Sequence, residues 1–159
     1  MRRCYMTSEK KLAMTNRVYM DNCCYNRPFD EPLTPDVRLE KEAKIYIQQQ
    51  IRSGKIELAW SFILDHESRA NPHEDRKRAI IPWKYRATVD IDPCEEVYRL
   101  GLIIKECGVK VMDAQHIACA IAAKCHYFLT TDKGILKKKV EGIILMNPVD
   151  YVHMVERGR

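Results

Sequence analysis

Four acidic residues in this 159-residue chain stand where carboxylates do chemistry: Asp21, Glu67, Asp113 and Asp132. Asp21 ends the apolar run Val18-Tyr19-Met20, and Asp132 ends the run Tyr127-Phe128-Leu129-Thr130-Thr131. Glu67 and Asp113 fall in stretches of helical periodicity that could lean over those two strand ends. Carboxylates held close together repel one another and resist ionisation unless a cation neutralises them. Hard oxygen donors of this kind suit a hard divalent cation. The expectation is a divalent-metal site at the C-terminal edge of a parallel sheet, where open α/β folds bind ligands.

Each acid also has an ordinary structural role open to it. Asp21 could simply leave a strand through an Asx turn. Asp113 and Asp132 could each cap the helix that follows, a role compatible with metal binding through the second oxygen. Glu67 has a rival in Asp65. At 100° per residue, Phe62, Ile63, His66 and Ala70 define the apolar face, Glu67 lies at its edge, and Asp65 and Arg69 point to water. Glu40, on the helix side of Ala43 and Ile47, is a second-tier candidate beneath the site, and so are Thr131, through its hydroxyl, and His116. The last stands one turn after Asp113, either orienting a phosphate or packed among alanines. Arg27 and Lys133 are the candidates for gripping phosphate, followed by Arg76, Lys77 and Arg78, which solvated helix charge would equally explain. Tyr25, Phe29 and Trp83 could stack on bases, although Trp83 suits the core better.

The elements that must position these residues alternate in type. Strands are expected at residues 17–20, 56–60, 88–91, 127–130 and 142–146. Helices are expected at 36–52, with Asp36 as N-cap and Gly54 as stop signal, and at 61–69, with Ser61 as cap. Further helices follow at 73–86, 93–107, 113–125 and 134–138, and a last one starts at Pro148. Such alternation predicts an α/β fold, a three-layer α/β/α sandwich around a mainly parallel sheet. Residues 1–16 are a polar lead that could lie upstream of a start at Met14, and 17–159 are expected to form a single domain.

Composition narrows the class. No run approaches the roughly 20 apolar residues of a membrane span, and residues 1–16 lack the apolar centre of a secretory signal. Seven cysteines without a C-x-x-C pair argue for reduced thiols and a cytoplasmic protein rather than a disulfide scaffold. The net charge of +5 favours a polyanionic partner, which matters only beside an acidic site.

The succession strand–Asp21, Ser61-Phe62-Ile63-Leu64-Asp65-His66-Glu67, Asp113-Ala114-Gln115-His116-Ile117-Ala118-Cys119-Ala120 and Thr130-Thr131-Asp132 resembles the PIN-domain nucleases. The likeness runs from Arg17 to about Val155. It is nearest to the branch of toxin ribonucleases from bacterial and archaeal toxin–antitoxin pairs, or to a close orphan relative. It implies an acidic pocket of Asp21, Glu67, Asp113 and Asp132 that binds magnesium or manganese and cuts RNA. It also implies an antitoxin protein as partner and a homodimer. Asn22 departs from the Ser or Thr common after the first aspartate, and the Asn22–Asp30 loop is unlike the short loops of the toxins. Two alternatives stand beside the nuclease: a catalytically idle PIN fold that binds RNA or protein, and a phosphoacceptor domain using Asp21.

Overall fold

In the computed structural model of the chain, residues 16–25 and 34–158 are described. Five strands form one parallel sheet: β1 (Asn16–Met20), β2 (Ile56–Ser61), β3 (Val89–Ile91), β4 (Tyr127–Leu129) and β5 (Ile144–Met146). Their order is β3-β2-β1-β4-β5. The chain therefore builds outward from β1 in one direction, then returns to lay β4 against its other side. This reversal makes the C-terminal ends of β1 and β4 the switch point of the sheet, where the loops diverge and leave a crevice.

Helices cover both faces. They are α1 (Pro35–Arg52), α2 (Phe62–Ala70), α3 (Glu74–Ile80), α4 (Glu95–Lys105), α5 (Val111–Ala122), α6 (Lys133–Leu136) and α7 (Pro148–Arg157). α1 packs with α7, whereas α4 and α2 pack with α5. The helix α5 is buried along most of its length, from Ala114 to Ala120, and small residues there allow close approach to the sheet. Tyr19, Leu58, Trp60, Ile117, Phe128 and Leu129 lie at the centre of the core, each at most 1 % exposed. Among the described residues, no helix is long and apolar enough to cross a membrane.

Several boundaries differ from the sequence expectation, each for a local reason. The N-cap of α1 is Thr34, whose Oγ1 accepts from Val37 N at 3.3 Å; Asp36 lies inside the first turn behind Pro35. The expected helix 73–86 breaks into α3 and a 3-10 turn, Ile81–Arg86. Pro82 at its start supplies no N–H to continue the α-helical ladder. Gly142 takes φ +90°, so the last strand begins only at Ile144. Tyr25 is no stacking platform: it is 2 % exposed and packs edge-on against Trp60, with Trp83 beside it. Trp83 is buried as expected. The polar lead, apart from Asn16, and the residues Arg27 and Phe29 lie outside the described residues.

Candidate active site

Asp21 follows β1 directly, and its backbone N–H still pairs with Leu129 O of β4 at 2.9 Å. Its Oδ1 accepts from Asn22 N at 2.7 Å and caps a 3-10 turn, Asn22–Cys24. Its Oδ2 accepts from the buried Thr130 hydroxyl at 2.8 Å. The Thr130 oxygen in turn accepts from Asp132 N at 3.1 Å. One hydroxyl thus fixes the carboxylate after β1 to the backbone of the acid after β4. Asp132 Oδ1 caps α6 through Gly134 N at 2.7 Å and Ile135 N at 3.2 Å. Asp132 therefore holds the expected capping role with one oxygen, and Asp21, expected to make only an Asx turn, caps a short 3-10 turn in the same way.

Asp113 is not an N-cap. Helix α5 starts two residues earlier, at Val111 after Lys110, which places Asp113 in the first turn. Burial raises the pKa of its carboxyl, and the charges of Asp21 and Asp132 raise it further, against His116 and Lys110. Three acids from three separate segments therefore share one electrostatic neighbourhood. Asp113 and Asp132 line a cleft of about 150 Å³ together with Lys110, Ile135 and Lys138. Gly108 takes φ +84°, and a Cβ there would stand 2.9 Å from Lys138 Nζ, so the absence of a side chain lets that ammonium lie against the backbone.

Glu67 does not line that cleft; its link to it is His116, whose charge acts on Asp113. Glu67 lies on α2, whose start is capped by Ser61 Oγ, 3.4 Å from Leu64 N. Its Oε1 stands 2.9 Å from His116 Nε2, close but without the alignment of a straight hydrogen bond, and its Oε2 is buried with no partner. The rival Asp65 does not face water: it accepts from Trp60 Nε1 at 3.0 Å and from Lys84 Nζ at 2.7 Å. The helical wheel misplaced it because the buried side of α2 is Ile63, Leu64 and Ser68, whereas His66 and Ala70, counted to the apolar face, are exposed.

Among the second-tier residues, Glu40 accepts from Asn147 Nδ2 at 3.2 Å and lines a groove with Thr131 and Lys133. Thr131 Oγ1 donates to Cys23 Sγ at 3.4 Å. Lys77 pairs with Glu74 at 3.1 Å, and neither it, Arg76 nor Arg78 lines the cleft at Asp113. Sequence reasoning missed Lys110 and Lys138, which carry no motif and reach the cleft only through folding. It also missed Cys23, whose Sγ lies 3.6 Å from Asp21 Oδ2. A hydrogen bond with Cys24 lowers this thiol's pKa to about 7, with help from Thr131 and against burial and the charge of Asp21.

The candidate donors are all carboxylate oxygen, the chemistry hard divalent cations favour; Asp113 resists ionisation among its neighbours, and Glu67 Oε2 is a buried oxygen lacking a partner. Among the described residues, no three acidic, histidine or cysteine side chains stand close enough to hold one ion as they are arranged. Asp21 and Asp132 each commit an oxygen to a local backbone cap.

No family model and no curated protein matches the sequence. Among solved structures, the chain is similar to VapBC2 from Rickettsia felis bound to a DNA fragment from their promoter. That match has a TM-score of 0.50 at 12 % identity and covers 82 % of this chain and 98 % of the other. The chain is also similar to PAE2754 from Pyrobaculum aerophilum, with a TM-score of 0.49 at 19 % identity, covering 92 % of this chain and 99 % of the other. With five parallel strands in the order β3-β2-β1-β4-β5 and helices on both faces, this chain has a PIN-like α/β/α fold.

Proposed function

We propose that the chain is a metal-dependent endoribonuclease that hydrolyses phosphodiester bonds in RNA, with Asp21, Glu67, Asp113 and Asp132 as its catalytic and metal-holding acids. The observation that carries this is the raised pKa of Asp113, caused by its burial and by the charges of Asp21 and Asp132 at the switch point of the sheet. Such a concentration of like charge is costly to a fold, and a cation relieves it.

Magnesium or manganese, when bound, supplies the positive charge that stabilises the anionic transition state of phosphoryl transfer. Asp21, Asp113 and Asp132 would hold one ion, and Glu67 would complete a second position or orient the attacking water. Lys110 and Lys138 draw the phosphate backbone into the cleft and offset the repulsion between RNA and acids. Lys133, beside Thr131 and Glu40, offers a grip for the strand on the neighbouring groove. Arg27 is proposed for the same role from the sequence.

The toxin role of a toxin–antitoxin pair is part of this proposal. The likeness in fold to VapBC2, a complex bound to its promoter DNA, motivates looking for an antitoxin partner, and a homodimer is proposed from the family resemblance. A small reading frame beside the gene, encoding a DNA-binding protein that co-purifies with this chain, is the corresponding observation. The test of the activity is incubation of the purified chain with single-stranded and structured RNA in Mg2+ or Mn2+. Cleavage that stops with chelator and in Asp113→Asn supports the assignment; cleavage that survives either one overturns it.

One observation favours a catalytically idle module that binds RNA or protein. Among the described residues, no three candidate ligands stand in position to share one ion. RNA binding without metal-dependent products is the outcome that selects this alternative.

A further inference from the structure

His116 is 1 % exposed, yet an imidazole is a poor residue for an apolar core unless its nitrogens are satisfied. Its Nδ1 lies 2.7 Å from Tyr19 OH, and the same hydroxyl lies 2.7 Å from Ser61 Oγ. Its Nε2 lies 2.9 Å from Glu67 Oε1. A single chain of polar atoms therefore runs from Ser61, at the cap of α2, through Tyr19 on β1 and His116 on α5, to Glu67 near the end of α2.

The direction of this chain follows from proton counting. A nitrogen lone pair facing a carboxylate oxygen at that distance would repel it, so Nε2 carries a hydrogen. In a neutral ring so protonated, Nδ1 is an acceptor for the Tyr19 hydroxyl, and Tyr19 accepts from Ser61. The Tyr19 and Ser61 hydrogens each have an acceptor, and the Nε2 hydrogen faces Oε1 at 2.9 Å without straight alignment. Ring packing supports the same orientation: Tyr19 meets His116 edge-on at 5.7 Å and stacks on Phe128 at 5.5 Å. The imidazole is thus held from behind by buried groups that have no freedom to turn.

The consequence lies at Glu67. A glutamate has three rotatable bonds, and about a quarter of this side chain is exposed, so packing alone does not set its direction. His116 Nε2 stands 2.9 Å from Oε1, near but not aligned for a straight hydrogen bond, and Oε2 is the buried oxygen with no partner. We infer that His116 is a positioning residue which, backed by Tyr19 and Ser61, orients Glu67 so that its second oxygen is presented to a divalent cation. This deepens the nuclease proposal and rests on it, because it takes Glu67 to be a metal-holding acid.

The experiment uses Mn2+ itself as the probe, with binding to the full chain followed by calorimetry and by electron paramagnetic resonance, and needs no turnover. The side-chain nitrogen of Gln can stand where Nε2 stands, whereas the side-chain amide of Asn reaches only the place of Nδ1. His116→Gln is therefore expected to bind Mn2+ within about 3-fold of the wild type. His116→Asn is expected to weaken binding by about 10-fold or more, the usual scale for losing a group that orients a metal ligand. Should His116→Asn fail to fold, Tyr19→Phe keeps the imidazole and removes only the hydroxyl behind it; a weakening of about 3- to 10-fold is expected.

Equal Mn2+ affinity in wild type, His116→Gln and His116→Asn, or in wild type and Tyr19→Phe, would overturn the positioning role while leaving the nuclease proposal standing. Equal loss in the Gln and Asn variants would also overturn it, since general damage to packing would then account for both. A wild type that binds no Mn2+ removes the nuclease proposal itself, and the inference with it.

Discussion

The Thr130 hydroxyl donates to Asp21 Oδ2 at 2.8 Å across 109 positions of sequence, and the same oxygen receives Asp132 N at 3.1 Å. Two of the candidate acids are therefore tied to one buried atom. Thr130→Val keeps the shape but strips both bonds, leaving Asp132 N–H and Asp21 Oδ2 each short of a partner. The expected cost is about 1–3 kcal/mol, seen as a fall of several degrees in the thermal midpoint. Thr130→Ser, which retains the hydroxyl, should lose less. Equal melting of the Val variant and the wild type would show the hydroxyl to be dispensable.

Asp113→Asn should separate stability from activity. The folded-state pKa of Asp113 is raised above the ordinary 3.8, so the native state holds this proton more tightly than the unfolded chain does. That contribution is fully present below about pH 4 and is lost as pH rises through the raised value. At neutral pH the ionised carboxylate thus opposes folding, and the metal-free Asn variant should melt higher than the wild type. The gap should close as pH falls toward 3.8. RNA cleavage should drop by about 100-fold or more, the scale of removing one electrostatic contributor to a transition state. A lower melting point for the variant at neutral pH would contradict the charge repulsion among these acids.

Asp65 and Glu67, two positions apart, should behave in opposite ways. Asp65→Ala leaves Trp60 Nε1–H without its acceptor and Lys84 without its nearest carboxylate, so stability should fall by about 1–3 kcal/mol. Its cleavage rate at a temperature where it is folded should match the wild type. Glu67→Gln should keep most of the stability and lose most of the activity. Denaturant melts paired with cleavage assays check both, and the assignment fails if the two variants exchange phenotypes.

Cys23 should react with iodoacetamide near neutral pH well before the buried Cys119 and Cys125. Hydrogen bonding with Cys24 brings it to about 7, whereas burial pushes Cys119 and Cys125 up to about 12. The rate should rise through pH 7 and level off above it, because the thiolate is the nucleophile. An adduct there stands 3.6 Å from Asp21 Oδ2 and should block cleavage. Peptide mapping after brief labelling identifies the modified residues; labelling of Cys119 or Cys125 ahead of Cys23 would refute the prediction.

Lys110 and Lys138 should act on RNA binding rather than on the chemical step. Replacing both by Ala is expected to raise KM several-fold with kcat little changed. Removing each phosphate-binding ammonium should also flatten the slope of log affinity against log salt by about 0.7 for a single strand. An unaltered salt dependence would place the RNA path elsewhere than this cleft.

Much of the fold is legible in the chain because it depends on local rules. Short continuous apolar runs mark β1 and β4, an alternating run marks β2, and Ser61 announces the start of α2 through a cap that the structure contains. Boundaries shift where one residue overrides the pattern, as Pro82 does in breaking the helix after Ile80. The placement of Asp21 and Asp132 is also readable, since an acid that ends a strand in a parallel sheet must lie at its C-terminal edge.

The order of residues is therefore enough to specify the alternating α/β architecture and the candidate acids at the sheet's edge, because periodicity and strand ends are properties of neighbouring residues. The pairing of His116 with Glu67, the capture of Asp65 by Trp60 and Lys84, and the arrival of Lys110, Lys138 and Cys23 beside the acids emerge only once the chain has folded. Each joins segments distant in the chain or on different elements, and side-chain direction there is set by what packs opposite, which no local pattern contains.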